Sequence, residues 1–141
     1  MADQHDLQRF LSAQERVTDT VSRELEAGRK RSHWMWFVFP QMAGLGSSRP
    51  SRRYAIASRA GAEAYPAHPT LGPRLRECTA LVNGVEGRSA TEIFGSPDDL
   101  KFRSSMTLFD AVADDPTPFE TALERYYGGE PDPKTLELLD G

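Results

Sequence analysis

A chain of 141 residues with a single cysteine, Cys78, has the length of one domain, can bury roughly 68–70% of its unfolded surface, and can close no internal disulfide. Leu, Ile, Val and Phe total 28, near the roughly 20% level at which disorder sets in, but a net charge of −4 is too small to hold a chain open. No apolar run approaches the roughly 18 residues of a membrane span, Met1 to His5 lack the order of a signal peptide, and His5, His33, His68 and Cys78 stand singly, so membrane insertion, secretion and a zinc site are set aside.

Leu plus Ala number 28 against 8 for Ile plus Val, a balance that favours helices over sheets. Leu7, Phe10, Leu11, Val17, Val21 and Leu25, at steps of three, one, six, four and four, predict a first helix over about 6–27, stopped by Gly28. The six apolar residues Trp34 to Phe39, closed by Pro40, suit a buried strand or a short helix equally. Gly44 to Ser48 reads as a loop. Pro50 and Ser51 then open a helix carrying Tyr54, Ile56 and Ala57, with a short helix ending near Tyr65. Leu71, Leu75, Cys78, Leu81, Val82 and Val85 form the next stripe, with Pro73 near its start. Ser89 and Glu92 have capping-box spacing before Ile93 and Phe94. Ser96-Pro97-Asp98-Asp99 supplies an N-cap, a first-turn proline and two acids for a helix to about Ala113; Thr117-Pro118-Phe119-Glu120 repeats that grammar, and Asp132-Pro133 opens a last short helix. The expected fold is all-α, a single helical domain over 1–141 with six to seven helices and an irregular aromatic segment after the first.

Charge is segregated. Residues 28–62 hold seven cations (Arg29, Lys30, Arg31, Arg49, Arg52, Arg53, Arg59) and no acid, so the other 106 residues carry −11. Both tryptophans, Trp34 and Trp36, lie in that segment with Phe37, Phe39 and Tyr54. Guanidinium groups fork onto phosphates and aromatic faces stack on bases, while Gly44, Gly46, Ser47 and Ser48 allow backbone N–H groups to approach an anion. Gly-Leu-Gly-Ser-Ser matches neither the P-loop nor the dinucleotide fingerprint. Against this, tryptophan and phenylalanine at such density commonly form core.

Lys101, Arg103, Ser104, Ser105 and Thr107 place cations and hydroxyls within two turns of one helix, able to coordinate an oxyanion unless the serines serve a helix crossing or bond back to carbonyls. His33 is the histidine beside the basic aromatic run, hence the candidate general acid or base. Asp98 and Asp99 are accounted for by helix capping, and Cys78 by an apolar stripe.

The stretches Ala27 to Gln41, Gly44 to Ser48, Leu71 to Leu75 and Ile93 to Phe109 resemble a bacterial family catalogued only as a domain of unknown function. Its members are sometimes labelled calpastatin and include an uncharacterised mycobacterial protein. The likeness spans nearly the whole chain and implies an all-helical domain, but no activity. Pro66, where similar sequences carry an apolar residue, implies a shorter helix ending at Tyr65. The calpastatin label fits poorly, since capped helices and an aromatic run argue for a compact fold rather than an extended inhibitor.

The expected function is binding, with processing as an extension, of a small phosphorylated or nucleotide-like ligand by Arg29, Arg31, Trp34, Trp36, Gln41, Ser47, Arg52, Arg53, Tyr54, Lys101, Arg103, Ser104 and Ser105, with His33 assisting hydrolysis or glycosidic cleavage. The alternative is a non-catalytic module that docks an acidic partner. Nucleic acid is disfavoured by a pI near 5.4. No cofactor, metal or membrane is expected, a cytoplasmic location is, and the enzyme question stays open.

Overall fold

The stripe that begins at Leu7 does not run straight to Ala27. In the computed structural model, which describes residues 3–140, it breaks into α1 (Gln8–Glu15) and α2 (Thr18–Glu26). The six-residue step from Leu11 to Val17 is out of phase with a 3.6-residue period, and the break lies there, with the Val17 N–H donating to the Gln14 carbonyl. Asp3 caps the start by accepting from the Leu7 and Gln8 N–H groups.

Eight further helices follow: α3 (Met35–Val38), α4 (Arg49–Arg53), α5 (Arg59–Ala67), α6 (Leu71–Asn83), α7 (Ala90–Phe94), α8 (Asp98–Val112), α9 (Thr117–Tyr127) and α10 (Pro133–Asp140). The described residues thus form ten helices and no strand, instead of six to seven helices. The excess has three sources. The first stripe is split, and the segment expected to run from Pro50 toward Tyr65 is two helices parted by Ile56, whose N–H donates to the Gln41 carbonyl in an isolated parallel bridge with Met42. The aromatic run resolves as the single turn α3.

Proline positions also differ from expectation. Helix α5 continues through Pro66 to Ala67, because a proline in the last turn loses one ladder hydrogen bond without ending the helix. Pro97 precedes α8 where Ser96 was expected as the cap, and Pro116 precedes α9 in the place expected for Thr117. The capping box of Ser89 and Glu92 is present in full.

Helix α8 is central. It packs on α9, α5, α7 and α10, while α6 packs on α2, α5 and α9, and α1 on α3. The α5–α6 crossing is backbone to backbone: a Cβ on Gly72 would lie 2.2 Å from the Pro66 carbonyl oxygen, which no side chain tolerates. Within the core Phe10, Tyr65, Phe109 and Phe119 make one chain of ring contacts; Trp34, Phe39, Phe102 and Phe94 make another. Each ring removes on the order of 150–250 Å² from water, so these eight dominate the apolar burial. Gln14 is buried among them and ties α1 to α3, its Nε2 donating to the Phe37 carbonyl at 2.7 Å and to the Tyr65 hydroxyl at 2.9 Å. Among the described residues no helix is long and apolar enough to cross a membrane.

Candidate functional site

The cation-rich segment begins at a helix end. Gly28, at φ +72°, closes α2 in a Schellman turn, its N–H donating to the Leu25 carbonyl and that of Arg29 to the Glu24 carbonyl. The turn sends residues 29–34 back past Glu24, whose carboxylate collects four donors: the Arg31 N–H at 2.7 Å, the Ser32 N–H at 3.0 Å, the Ser32 hydroxyl at 2.6 Å and the Trp34 indole N–H at 2.9 Å. Partial burial opposes ionisation of Glu24, but the Ser32 hydroxyl, the Arg31 N–H, the Trp34 indole and the Ser32 N–H together hold its pKa down at about 2.

With this loop fixed, Lys30 is aimed. Its N–H donates to the Ile93 carbonyl of α7 at 2.7 Å, and its ammonium reaches Asp98, the first residue of α8, at 2.8 Å. Lys101, one turn further along α8, meets the same carboxylate at 3.4 Å. The Lys30 side chain is only 8% exposed, that of Asp98 20% and that of Lys101 23%. Each ammonium also lies 5.3 Å from an indole centroid, Lys30 at Trp34 and Lys101 at Trp36. Two cations, one anion and two indoles therefore meet where the early basic segment touches the late helix. Trp34 is wholly buried; Trp36 is half-buried, and its indole N–H is shielded without an acceptor.

The other expected residues fall into two groups. Arg29, Arg31, His33, Ser47, Arg52 and Arg53 are exposed. None of those four arginines forms an ion pair among the described residues, and His33 has no hydrogen-bond partner there. Arg53 lies 5.6 Å from the Tyr54 ring centroid, its carbonyl accepting from the Arg9 guanidinium. Tyr54 packs on Phe10 and Phe37, and Gln41 is half-buried beside the Met42–Ile56 bridge.

The α8 residues are occupied with structure. Arg103 donates to the Glu130 and Pro131 carbonyls at 3.0 Å each. Ser104 donates to the Leu100 carbonyl and to Asp132, whose N–H in turn donates to Thr107. Ser105 is buried, its hydroxyl without a partner. So Arg103, Ser104 and Thr107 anchor the approach to α10, leaving Lys101 as the cation of that group beside the indoles. Cavities of about 250 and about 320 Å³ lie elsewhere, lined by none of the expected residues.

Asp98 and Glu24 are the acids that organise this region, and capping grammar concealed the first. The i, i+3 spacing of Asp98 and Lys101 was a legible signal; nothing local marks Glu24, whose donors are seven to ten residues away.

None of the curated proteins matches this chain. A solved structure does: the conserved hypothetical protein Rv1873 from Mycobacterium tuberculosis, at 57% identity over 99% of each chain, with a TM-score of 0.96. The description "Protein of unknown function (DUF1810)" matches residues 4–139, nearly the whole domain that carries the Glu24 and Asp98 clusters, and the chain belongs to that family.

Proposed function

We propose that the Lys30–Asp98–Lys101 cluster and Trp36 form the binding site for a small phosphorylated or nucleotide-like ligand. The observation that carries this reading is a local excess of positive charge in a poorly hydrated place, beside a shielded indole N–H that has no acceptor. Shielded donors are nearly always satisfied, and an oxyanion drawn to the surplus ammonium would supply the acceptor that this N–H lacks once the half-buried ring shifts to admit it. The half-buried Trp36 ring offers a face for a base or sugar. The reading is one of binding in a cytoplasmic domain. His33 has nothing to set its tautomer, so an acid–base role for it requires the ligand to orient it.

A second reading has its own support. Arg29, Arg31, Arg49, Arg52 and Arg53 face solvent, make no ion pair among the described residues and line neither cavity, as an outward surface for an acidic partner requires.

One experiment separates the two. Thermal unfolding is followed with pyrophosphate, ribose 5-phosphate, AMP and a poly-glutamate peptide, on the wild type, Lys101→Met, Trp36→Phe and the triple variant Arg49→Ser/Arg52→Ser/Arg53→Ser. A phosphate compound at 100 times its Kd adds about 2.7 kcal/mol of stability. That shift disappears in Lys101→Met, shrinks in Trp36→Phe and survives in the triple variant. A response to poly-glutamate alone, lost in the triple variant, establishes the second reading; silence from every phosphate compound ends the first.

A further inference from the structure

The cavity of about 250 Å³ opens between the first two helices and α6, away from the indole cluster. Val17, Val21, Val38, Leu75 and Leu81 give it an apolar wall. Cys78 adds a thiol whose pKa burial pushes up to about 12, so the wall stays uncharged there. The amide of Gln14 also faces this space; its nitrogen is committed to Phe37 and Tyr65, and its Oε1 accepts from an Arg74 Nη1 at 3.5 Å.

Two charges line the same hollow, Arg74 and Glu77, three residues apart on α6. Residues so spaced have Cβ atoms about 5–6 Å apart and commonly pair. These two do not meet within 4.0 Å, and neither has another ionic partner among the described residues. The half-buried Arg74 guanidinium, with five donors and one long hydrogen bond, retains the fork that a carboxylate fills. A fatty carboxylate would satisfy Arg74 but set its charge against Glu77, and a simple amine would meet the reverse conflict. A molecule bearing both charges on one carbon, with an apolar tail, meets neither. An apolar cavity of roughly 150 Å³ holds a benzene ring, so one of about 250 Å³ has room for a branched aliphatic amino acid.

We propose that this cavity binds a small aliphatic α-amino acid, its carboxylate on Arg74, its ammonium on Glu77 and its side chain against the valine and leucine wall.

Calorimetric titration of the full chain with L-leucine tests this beside two truncated probes: 4-methylpentanoate, the same skeleton without the ammonium, and 3-methylbutylamine, without the carboxylate. L-Leucine is expected to bind, with both probes at least tenfold weaker. Arg74→Gln and Glu77→Gln should each weaken L-leucine roughly tenfold to a hundredfold, as the loss of one charged hydrogen-bonded contact does. Lys101→Met should bind it like the wild type, which separates this site from the indole cluster. Should Arg74→Gln fail to fold by circular dichroism, the exposed Glu77→Gln and the two probes decide the matter. No heat with L-leucine, L-valine or L-isoleucine overturns the proposal. So does 4-methylpentanoate binding as tightly as L-leucine, or a folded Arg74→Gln with unchanged affinity.

Discussion

Four donors converge on the Glu24 carboxylate, and one of them, the Trp34 indole, belongs to a wholly buried ring. Glutamine at this position keeps the shape, and its oxygen at the Oε1 position still accepts the three N–H groups, but those bonds lose their charge assistance and the Ser32 hydroxyl loses its acceptor at Oε2. Glu24→Gln should therefore lower unfolding stability by about 1–3 kcal/mol in urea titrations. The sign of the pH effect follows from a folded pKa near 2, below the unfolded value of roughly 4.3: the stabilisation is complete above the unfolded pKa and fades as pH falls from there through about 2. A stability–pH curve of the variant should be flatter across that window. An equal slope in both proteins would show that the acid loss comes from elsewhere.

Asp98 separates folding from binding. It neutralises one of two ammonium groups, and Lys30 in particular is largely out of water. Asp98→Asn should cost about 1–3 kcal/mol of stability, because a shielded cation loses its partner, toward the low end since the pair is not fully dry. In the proposed site the same change also removes a carboxylate that would compete with an incoming phosphate. Affinity for the phosphate compound should rise while stability falls, read by calorimetry and urea titration on one sample. A parallel fall in both would show that Asp98 supports the ligand rather than opposing it.

At the scale of elements, local grammar marks several boundaries closely, although the caps of α8 and α9 fall on Pro97 and Pro116 in place of Ser96 and Thr117. The Ser89–Glu92 capping box, the Gly28 stop and the extent of α6 and α8 follow from residues within a turn or two. The split at Ile56 does not, since it depends on a distant segment, Ile56 pairing with Gln41 and Met42, whereas the break at Val17 is marked locally by the out-of-phase step from Leu11. The α5–α6 crossing is a further case, invisible until Gly72 is seen against the Pro66 carbonyl. Gly72→Ala should destabilise by about 1–3 kcal/mol or more, measured as a lower urea midpoint with an unchanged slope. An unchanged midpoint would mean the helices slide apart without penalty.

Helix α10 is held by side chains of α8. Asp132 accepts from Ser104 and from the N–H and hydroxyl of Thr135, and its own N–H donates to Thr107. Asp132→Ala should release this end locally, with hydrogen-exchange protection lost over Thr135 to Leu139 while α6 and α8 keep theirs. Uniform loss across the chain would make the contact part of the global fold instead.

Over the whole molecule, an acidic chain gathers five arginines that make no ion pair among the described residues, Arg29, Arg31, Arg49, Arg52 and Arg53, on one acid-free segment while most of its aromatic rings sink into the core. Interaction with an anion on an exposed patch is screened as the Debye length falls from about 10 Å at 0.1 M salt to about 3 Å at 1 M. Poly-glutamate docking should thus vanish between those concentrations. Binding at the less hydrated Lys30–Asp98–Lys101 cluster should weaken far less, and equal salt sensitivity of the two would place both on the surface.

The all-helical class, the position of most helices and the segregation of charge are properties of residue order alone, because propensity, capping and periodicity act over a few residues. Which cations stay free and which are spent was decided by tertiary structure. Lys30 and Lys101 are 71 positions apart yet share one carboxylate, and Arg103 and Ser104 are taken up by a segment nearly thirty residues downstream. A charge or hydroxyl is available for binding only to the extent that packing leaves it uncompensated, and that depends on contacts that no local spacing encodes.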